Sequence, residues 1–467
     1  MLNFKNLIGP LFLLIVYFIS IWSIDKWELI TAGLFGISAA FVIVKKNWIQ
    51  SLFSLLALSL PLSLNLSIGG LDLMLPAEWL IGVLALVLLF DLLDKRNYRL
   101  ILKTPLPALW VISFALPLIM SSVFEISMKF SLLNGVFVFV FFYGALRYGK
   151  GEVFKWLKLY SLSFSAVILW GVYQFFNFDF NPITITGIFK PFYYSSTYVG
   201  AVAAILGGFA LGNGRIDKKY FILATIALAI VIFSESRAAL ISFTLMLIAY
   251  LFSFLPIKMR LVGPIIIVLF LVTIGSENIR EAFAFNKIES HNPDTNIFQE
   301  TLSVTNVQSD DSNIERLNRW LSALKMFQER PHWGFGPGTY QFKYIPFQES
   351  TLMNRLSVRN PDDIPKGSGG SAHSELLLQL SENGWPSTIL FMIIFIVWIY
   401  RGYSSTGQAQ IKSLPFFLGM VTYGFHMNVN NFLNQPAFAF LFWTFGAVLM
   451  SPDLISKKVK DENELLP

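Results

Sequence analysis

Apolar runs long enough to cross a bilayer follow one another along almost the whole chain. A helix needs ~17–25 apolar residues to span a hydrocarbon core of about 30 Å. Runs of that kind lie near residues 7–24, 29–44, 50–66, 78–93, 106–123, 130–148, 156–176, 192–212, 219–235, 237–256, 260–275, 384–400, 412–429 and 435–451. They predict an all-α integral membrane protein with about 12–14 transmembrane helices, the short runs at 29–44 and 260–275 being able to tilt, pair or re-enter. Composition agrees: 14% of the 467 residues are charged, against roughly a quarter in soluble proteins. Too few charges are present to coat a soluble body of this length, so lipid is the expected solvent. The run at 7–24 lacks a small-x-small cleavage pattern and reads as a retained span.

The placement of charge tests this segmentation. Alternate short connections are rich in Lys and Arg: Lys45 and Lys46; Lys95, Arg96, Arg99 and Lys103; Arg147, Lys150, Lys155 and Lys158; Arg215, Lys218 and Lys219; Lys258 and Arg260; Arg401 and Lys412. Lys5 and the tail residues Lys457, Lys458 and Lys460 extend this set, whereas the opposite short loops hold only Lys26, Lys129, Lys190 and Arg237. By the positive-inside rule both termini face the cytoplasm, and the long polar stretch 276–371 lies on the other side. The net charge of +6 is thus a topological signal rather than a basic groove, and nucleic acid is not an expected partner. The absence of cysteine excludes a disulfide, a thiolate nucleophile and a Cys-based metal site.

Within the outer loop, residues 289–313 are polar and irregular. From Asn313 to Pro331, Ile314, Leu317, Trp320, Leu321, Leu324 and Phe327 recur at helical spacing, which predicts an amphipathic helix capped by Ser312 or Asn313 and stopped at Pro331. Gly334-Phe-Gly-Pro-Gly338 predicts a tight turn; no strand precedes it and Pro337 removes an amide donor, so it is not a phosphate cradle. Gly367–Ser371 reads as a hinge, and residues 373–383 as a short helix closing at Gly384.

His291, His332, His373 and His426 show no metal-ligand spacing, and no metal is expected. Ser371 as an N-cap would place His373 in the first helical turn, whose positive end keeps the imidazole neutral and able to act as a general base; packing with Leu377 and Leu380 explains the position equally. Arg237 begins a span from the outer side, where a guanidinium can hold phosphate oxygens or pair with Glu235. Arg316 and Arg319 can aim at one anion or form a solvated face, and Trp320 reads as packing. Asp72, Glu78 and Asp179 suit sugar binding or plain solvation. A transporter would also suit many spans with little soluble structure, but no charged residues fall at mid-membrane depth and the distinctive groups gather at one surface.

Ser236-Arg237-Ala-Ala-Leu, Arg316-x-x-Arg319-Trp320-x-x-Ala323, Pro331-x-x-Gly334-x-Gly336-x-Gly338-x-Tyr340 and His373-Ser-Glu-x-Leu-Leu-x-x-x-Glu382-x-Gly384 together resemble the O-antigen ligase and polymerase superfamily. Trp385-Pro-Ser-Thr388 departs from the small Gly-containing run often seen there. The resemblance implies a glycosyltransferase of the bacterial inner membrane with its large loop in the periplasm. Such an enzyme uses no cofactor or metal and moves a glycan from undecaprenyl diphosphate to a hydroxyl of a lipid, glycan or protein acceptor. Carried onto this chain, it implies His373 as base, Arg237 with Arg316 or Arg319 as diphosphate ligands, and Glu382 or Glu375 in support. The expected organisation is 1–190, N-terminal spans; 191–275, spans of the ligase-like core; 276–371, periplasmic loop; 372–451, the His-bearing helix and last spans; 452–467, cytoplasmic tail.

Overall fold

Helices occupy most of the expected spans that fall inside the residues the structure describes, except that the span at 50–66 gives way to a strand at Leu64 and the span at 106–123 is broken. This computed structural model describes residues 48–455 apart from 69–70, 94–97, 180–183, 186, 257, 260–305, 307–308, 360–369 and 406. The expected spans at 7–24, 29–44 and 260–275, and His291, lie outside the described residues. In chain order the elements are α1 (Trp48–Ser59), β1 (Leu64–Ile68), β2 (Leu71–Leu75), α2 (Ala77–Leu93) and α3 (Arg99–Lys103). Next come α4 (Leu106–Ile112), α5 (Ala115–Ile119), α6 (Phe124–Tyr148), α7 (Val153–Asn177), α8 (Ser196–Asn213), α9 (Lys219–Phe233) and α10 (Arg237–Phe252). The loop carries α11 (Asp311–Glu329) and α12 (Tyr340–Lys343), and α13 (Glu375–Ser404), α14 (Gly407–Val429) and α15 (Pro436–Met450) complete the chain.

Two departures from the expected all-α pattern have local causes. Leu64-Asn-Leu-Ser-Ile and Leu71-Asp-Leu-Met-Leu alternate at period two around Gly69-Gly70, and they pair as an antiparallel hairpin in the register Leu64 to Leu75 and Ile68 to Leu71. The expected span at 106–123 breaks into α4 and α5, because Pro117 cannot donate to the carbonyl of Ser113 four residues earlier. At that break the Ser113 hydroxyl donates to the carbonyl of Trp110 at 2.6 Å.

The outer surface identifies the solvent. Helix α9 turns Ala224, Ala227 and Val231 inward and leaves Ile222, Leu223 and Ile226 exposed. A helix whose outward face is apolar would be unstable in water but is suited to lipid. Helices α6, α7, α8 and α13 are each long and apolar enough to cross a membrane. The protein is a helical membrane protein.

Small residues set the interior. A Cβ on Gly208 would come within 2.8 Å of the backbone of Gly419, and one on Gly212 within 2.5 Å of Pro415, so α8 and α14 meet backbone to backbone, the arrangement that van der Waals packing favours when lipid offers no hydrophobic drive. Gly200, near the start of α8, leaves room for Ser234, Ser236 and Ala239, which fixes the start of α10. The loop has a separate small core of Ala323, Met326, Phe335, Tyr340, Tyr344, Ala372 and Leu378. That core seats α11 on the first turns of α13.

Candidate functional site

The turn between α9 and α10 presents Arg237. The Ser234 hydroxyl accepts from the amide of Ser236, and the Ser236 side chain caps α10 by accepting from the amide of Ala239, both at 3.3 Å. Arg237 is the first residue of the helix and is buried. A cation there opposes the positive end of the helix and needs a counter-charge. Asp310 supplies one: a guanidinium nitrogen of Arg237 lies 3.9 Å from Asp310 Oδ2. Glu235, the partner considered from sequence, has an exposed side chain.

Asp310 also starts α11. Its Oδ1 accepts from the amides of Ser312 at 3.0 Å and Asn313 at 3.1 Å, so the helix is capped two or three residues earlier than the apolar periodicity indicated. Arg316 and Arg319, three residues apart, have different surroundings. Arg319 donates to Glu315 Oε1 at 2.8 Å and to the carbonyl of Ser371 at 3.1 Å, and its guanidinium lies over the Tyr344 ring. Among the described residues Arg316 makes no hydrogen bond or ion pair of this kind. It lies within electrostatic reach of Arg237 and Asp310; burial first, and Arg237 second, bring its pKa down to about 10. It is still a cation at neutral pH.

The segment before α13 carries His373, and here the expected cap is corrected. Ser374, not Ser371, caps α13, accepting from the amide of Leu377 at 3.3 Å. His373 therefore precedes the helix, with φ of 49°, rather than lying in its first turn. Burial, then the cations Arg316 and Arg319, pull its pKa down to about 3. Three contacts hold this segment: the Trp320 indole donates to the carbonyl of His373 at 3.2 Å, Arg319 holds Ser371, and the amide of His373 donates to Ser371 Oγ at 3.4 Å. Gly370 has φ of 83°, and a Cβ there would collide with the Arg319 guanidinium.

Glu375 and Glu382 are buried, not solvated. Glu375 Oε2 accepts from the amide of Leu433 at 3.4 Å, joining the start of α13 to the connection between α14 and α15. Glu382 accepts from the amides of Gly338 at 2.8 Å and Tyr340 at 2.9 Å, so both oxygens are used in holding the glycine turn. That turn needs its glycines: φ is 59°, 107° and 76° at Gly334, Gly336 and Gly338, values open to glycine. Gly384, at φ of 74°, kinks α13 where its backbone meets His332. The amide of Trp385 then donates to the carbonyl of Pro331 at 2.9 Å and its indole to His332 Nδ1 at 2.9 Å. Trp385-Pro386 thus restarts the helix, with Pro386 in a first turn where its missing N–H costs little.

His426 is fully buried, with Nε2 at 3.2 Å from Ser242 Oγ and Nδ1 at 3.4 Å from the Asn430 side-chain nitrogen. Among the described residues no group of three or more His, Asp or Glu side chains is placed to hold a metal. The structure therefore sets Arg316 within electrostatic reach of Arg237 on one side and of His373 on the other, with Arg319 also facing His373, and Glu382 is linked to Arg319 through Tyr340. Sequence reading missed Asp310, Glu315 and the Ser371 carbonyl. The pair Asp310-Asp311 just before a helical run was a readable cap signal.

Residues 222–392 match the family model for O-antigen ligase. This stretch runs from α9 through the loop to the first half of α13 and contains every residue of the cluster. No curated protein matches the chain.

Proposed function

We propose that this O-antigen ligase-like protein is a membrane glycosyltransferase that takes a glycan from undecaprenyl diphosphate on the periplasmic side and passes it to an acceptor hydroxyl. The observation that carries the reading is the approach of Arg316 on the loop helix to Arg237 on a span, both near Asp310, with Arg316 also facing the buried His373. Leaving diphosphate gathers negative charge as the glycosidic bond breaks, and fixed cations at a partly dry surface stabilise it most where it is largest. Of the two loop arginines, Arg319 is engaged with Glu315 and Ser371, so Arg316 is assigned to the diphosphate with Arg237.

In the reaction His373 takes the proton of the acceptor hydroxyl, and the oxygen attacks the anomeric carbon. The bond from that carbon to the diphosphate oxygen breaks, its electron pair leaving with undecaprenyl diphosphate. Proton transfer of this kind contributes roughly 10²–10⁴ in rate. The negative donor raises the proton affinity of His373 on binding, which suits a base that must accept a proton only in the complex.

The test is release of undecaprenyl diphosphate from a glycan-loaded carrier by purified protein. His373→Ala and Arg237→Ala, each folded, lose it; full activity in either removes the assignment. A ligase and a polymerase of this family share the donor chemistry and differ in acceptor, and product sizing separates them: a ladder marks a polymerase, one transferred chain a ligase.

A further inference from the structure

Asp310 performs two tasks with its two oxygens. Oδ1 caps α11 through the amides of Ser312 and Asn313, while Oδ2 faces Arg237 at 3.9 Å. The carboxylate is 2% exposed and lies within electrostatic reach of Arg316. An anionic cap needs no second cation, because the helix terminus already favours its charge, and an asparagine caps a helix about as well. The position of the acid against both arginines is therefore in excess of what capping requires. The 3.9 Å separation is longer than a tight charge-assisted hydrogen bond of about 2.7–2.9 Å, so the pairing with Asp310 is an electrostatic contact rather than a close hydrogen bond.

Resting on the reading above, we propose that Asp310 is a positioning residue that serves as the resident counter-ion of Arg237, giving way to the donor diphosphate and returning as the product diphosphate leaves. A site with two unneutralised arginines would hold product as firmly as donor, and uniform binding of that kind slows turnover. An internal carboxylate offsets part of the cationic field in the empty site, weakening the ground-state grip on both diphosphates. Because the same side chain caps α11, exchange at Arg237 is also coupled to the seating of the loop helix that carries Arg316.

The experiment compares Asp310→Asn and Asp310→Ser, two neutral residues that retain a cap acceptor, in the purified full-length protein. Binding of inorganic pyrophosphate is measured by calorimetry, alongside donor KM and kcat. The expected result is pyrophosphate bound about tenfold more tightly, a lower donor KM and a lower kcat, with the gain in affinity absent when Arg237→Ala is added. Unchanged or weaker pyrophosphate binding in variants that melt like the parent overturns the inference, as does a gain that survives Arg237→Ala. If His373→Ala and Arg237→Ala retain full turnover, the functional reading itself has failed; if they are inactive and Asp310→Asn behaves as the parent, the failure belongs to the counter-ion inference alone.

Discussion

The indole N–H of Trp320 on the loop helix donates to the carbonyl of His373, 3.2 Å away. The bond ties the helix that carries Arg316 to the segment that carries the histidine, alongside the bond from Arg319 to the Ser371 carbonyl. Trp320→Phe keeps most of the packing and removes the donor. It is expected to lower kcat several-fold with donor KM nearly unchanged, and to cost about 1 kcal/mol of stability, read by steady-state kinetics and thermal melting. A parent-like kcat in a variant that melts normally would show that the bond does not position His373.

Arg316 and Arg319 should separate into two phenotypes. Arg319→Ala removes the counter-charge of buried Glu315, which then keeps only the Ser357 hydroxyl as a donor, and frees the Ser371 carbonyl, and a loss of about 3 kcal/mol is expected, in the range for one broken buried pair. Arg316→Ala should melt close to the parent yet raise donor KM or lower kcat by roughly 10²-fold or more. The reverse pattern in melting and kinetics would exchange their assignments.

The backbone of His373 is left-handed, with φ of 49°. Alanine pays for that conformation and glycine does not, so His373→Gly should be more stable than His373→Ala by about 1 kcal/mol while both lack activity. Equal melting points for the two would mean that the turn relaxes without its imidazole.

The pH profile follows from the burial of His373 and then from the cations beside it. Its pKa is lowered to about 3, so the base form survives as pH falls from 8 to 5, and kcat/KM should show no acidic limb near 6.5 from this group. Arg316→Gln removes one facing cation, raises the proton affinity of the ring and moves the limb upward. Bound diphosphate acts in the same direction, placing the limb of kcat at higher pH than that of kcat/KM. A limb at about 6.5 in kcat/KM that Arg316→Gln does not move would contradict this electrostatic account.

Glu382 accepts from the amides of Gly338 and Tyr340. Glu382→Gln turns an NH₂ group toward one of those donors, and an expected cost of about 1–3 kcal/mol follows from the amide left unpaired. Limited proteolysis should then cut near the Gly334–Gly338 turn sooner than in the parent; unchanged cleavage and melting would place the hold on the turn elsewhere.

The order of spans was legible because apolar length is a local property: each run near 124–148, 153–177 or 196–213 is long enough by itself. The loop helix was readable from Ile314 to Phe327 for the same reason, and the glycine turn from residues that accept positive φ. What sequence could not reach was which partner each polar group takes. Asp310 meets Arg237 across seventy-odd residues, joining the start of α11 to the start of α10, and Glu382 meets the glycine turn across more than forty, whereas the Glu315–Arg319 pair is an i,i+4 contact within α11. The low proton affinity of His373 likewise depends on its burial and on Arg316 and Arg319 beside it, which only the folded arrangement supplies. Hydrophobic length acts along the chain and is written there; hydrogen bonds and charge pairs act through space, and the tertiary structure alone chose among them.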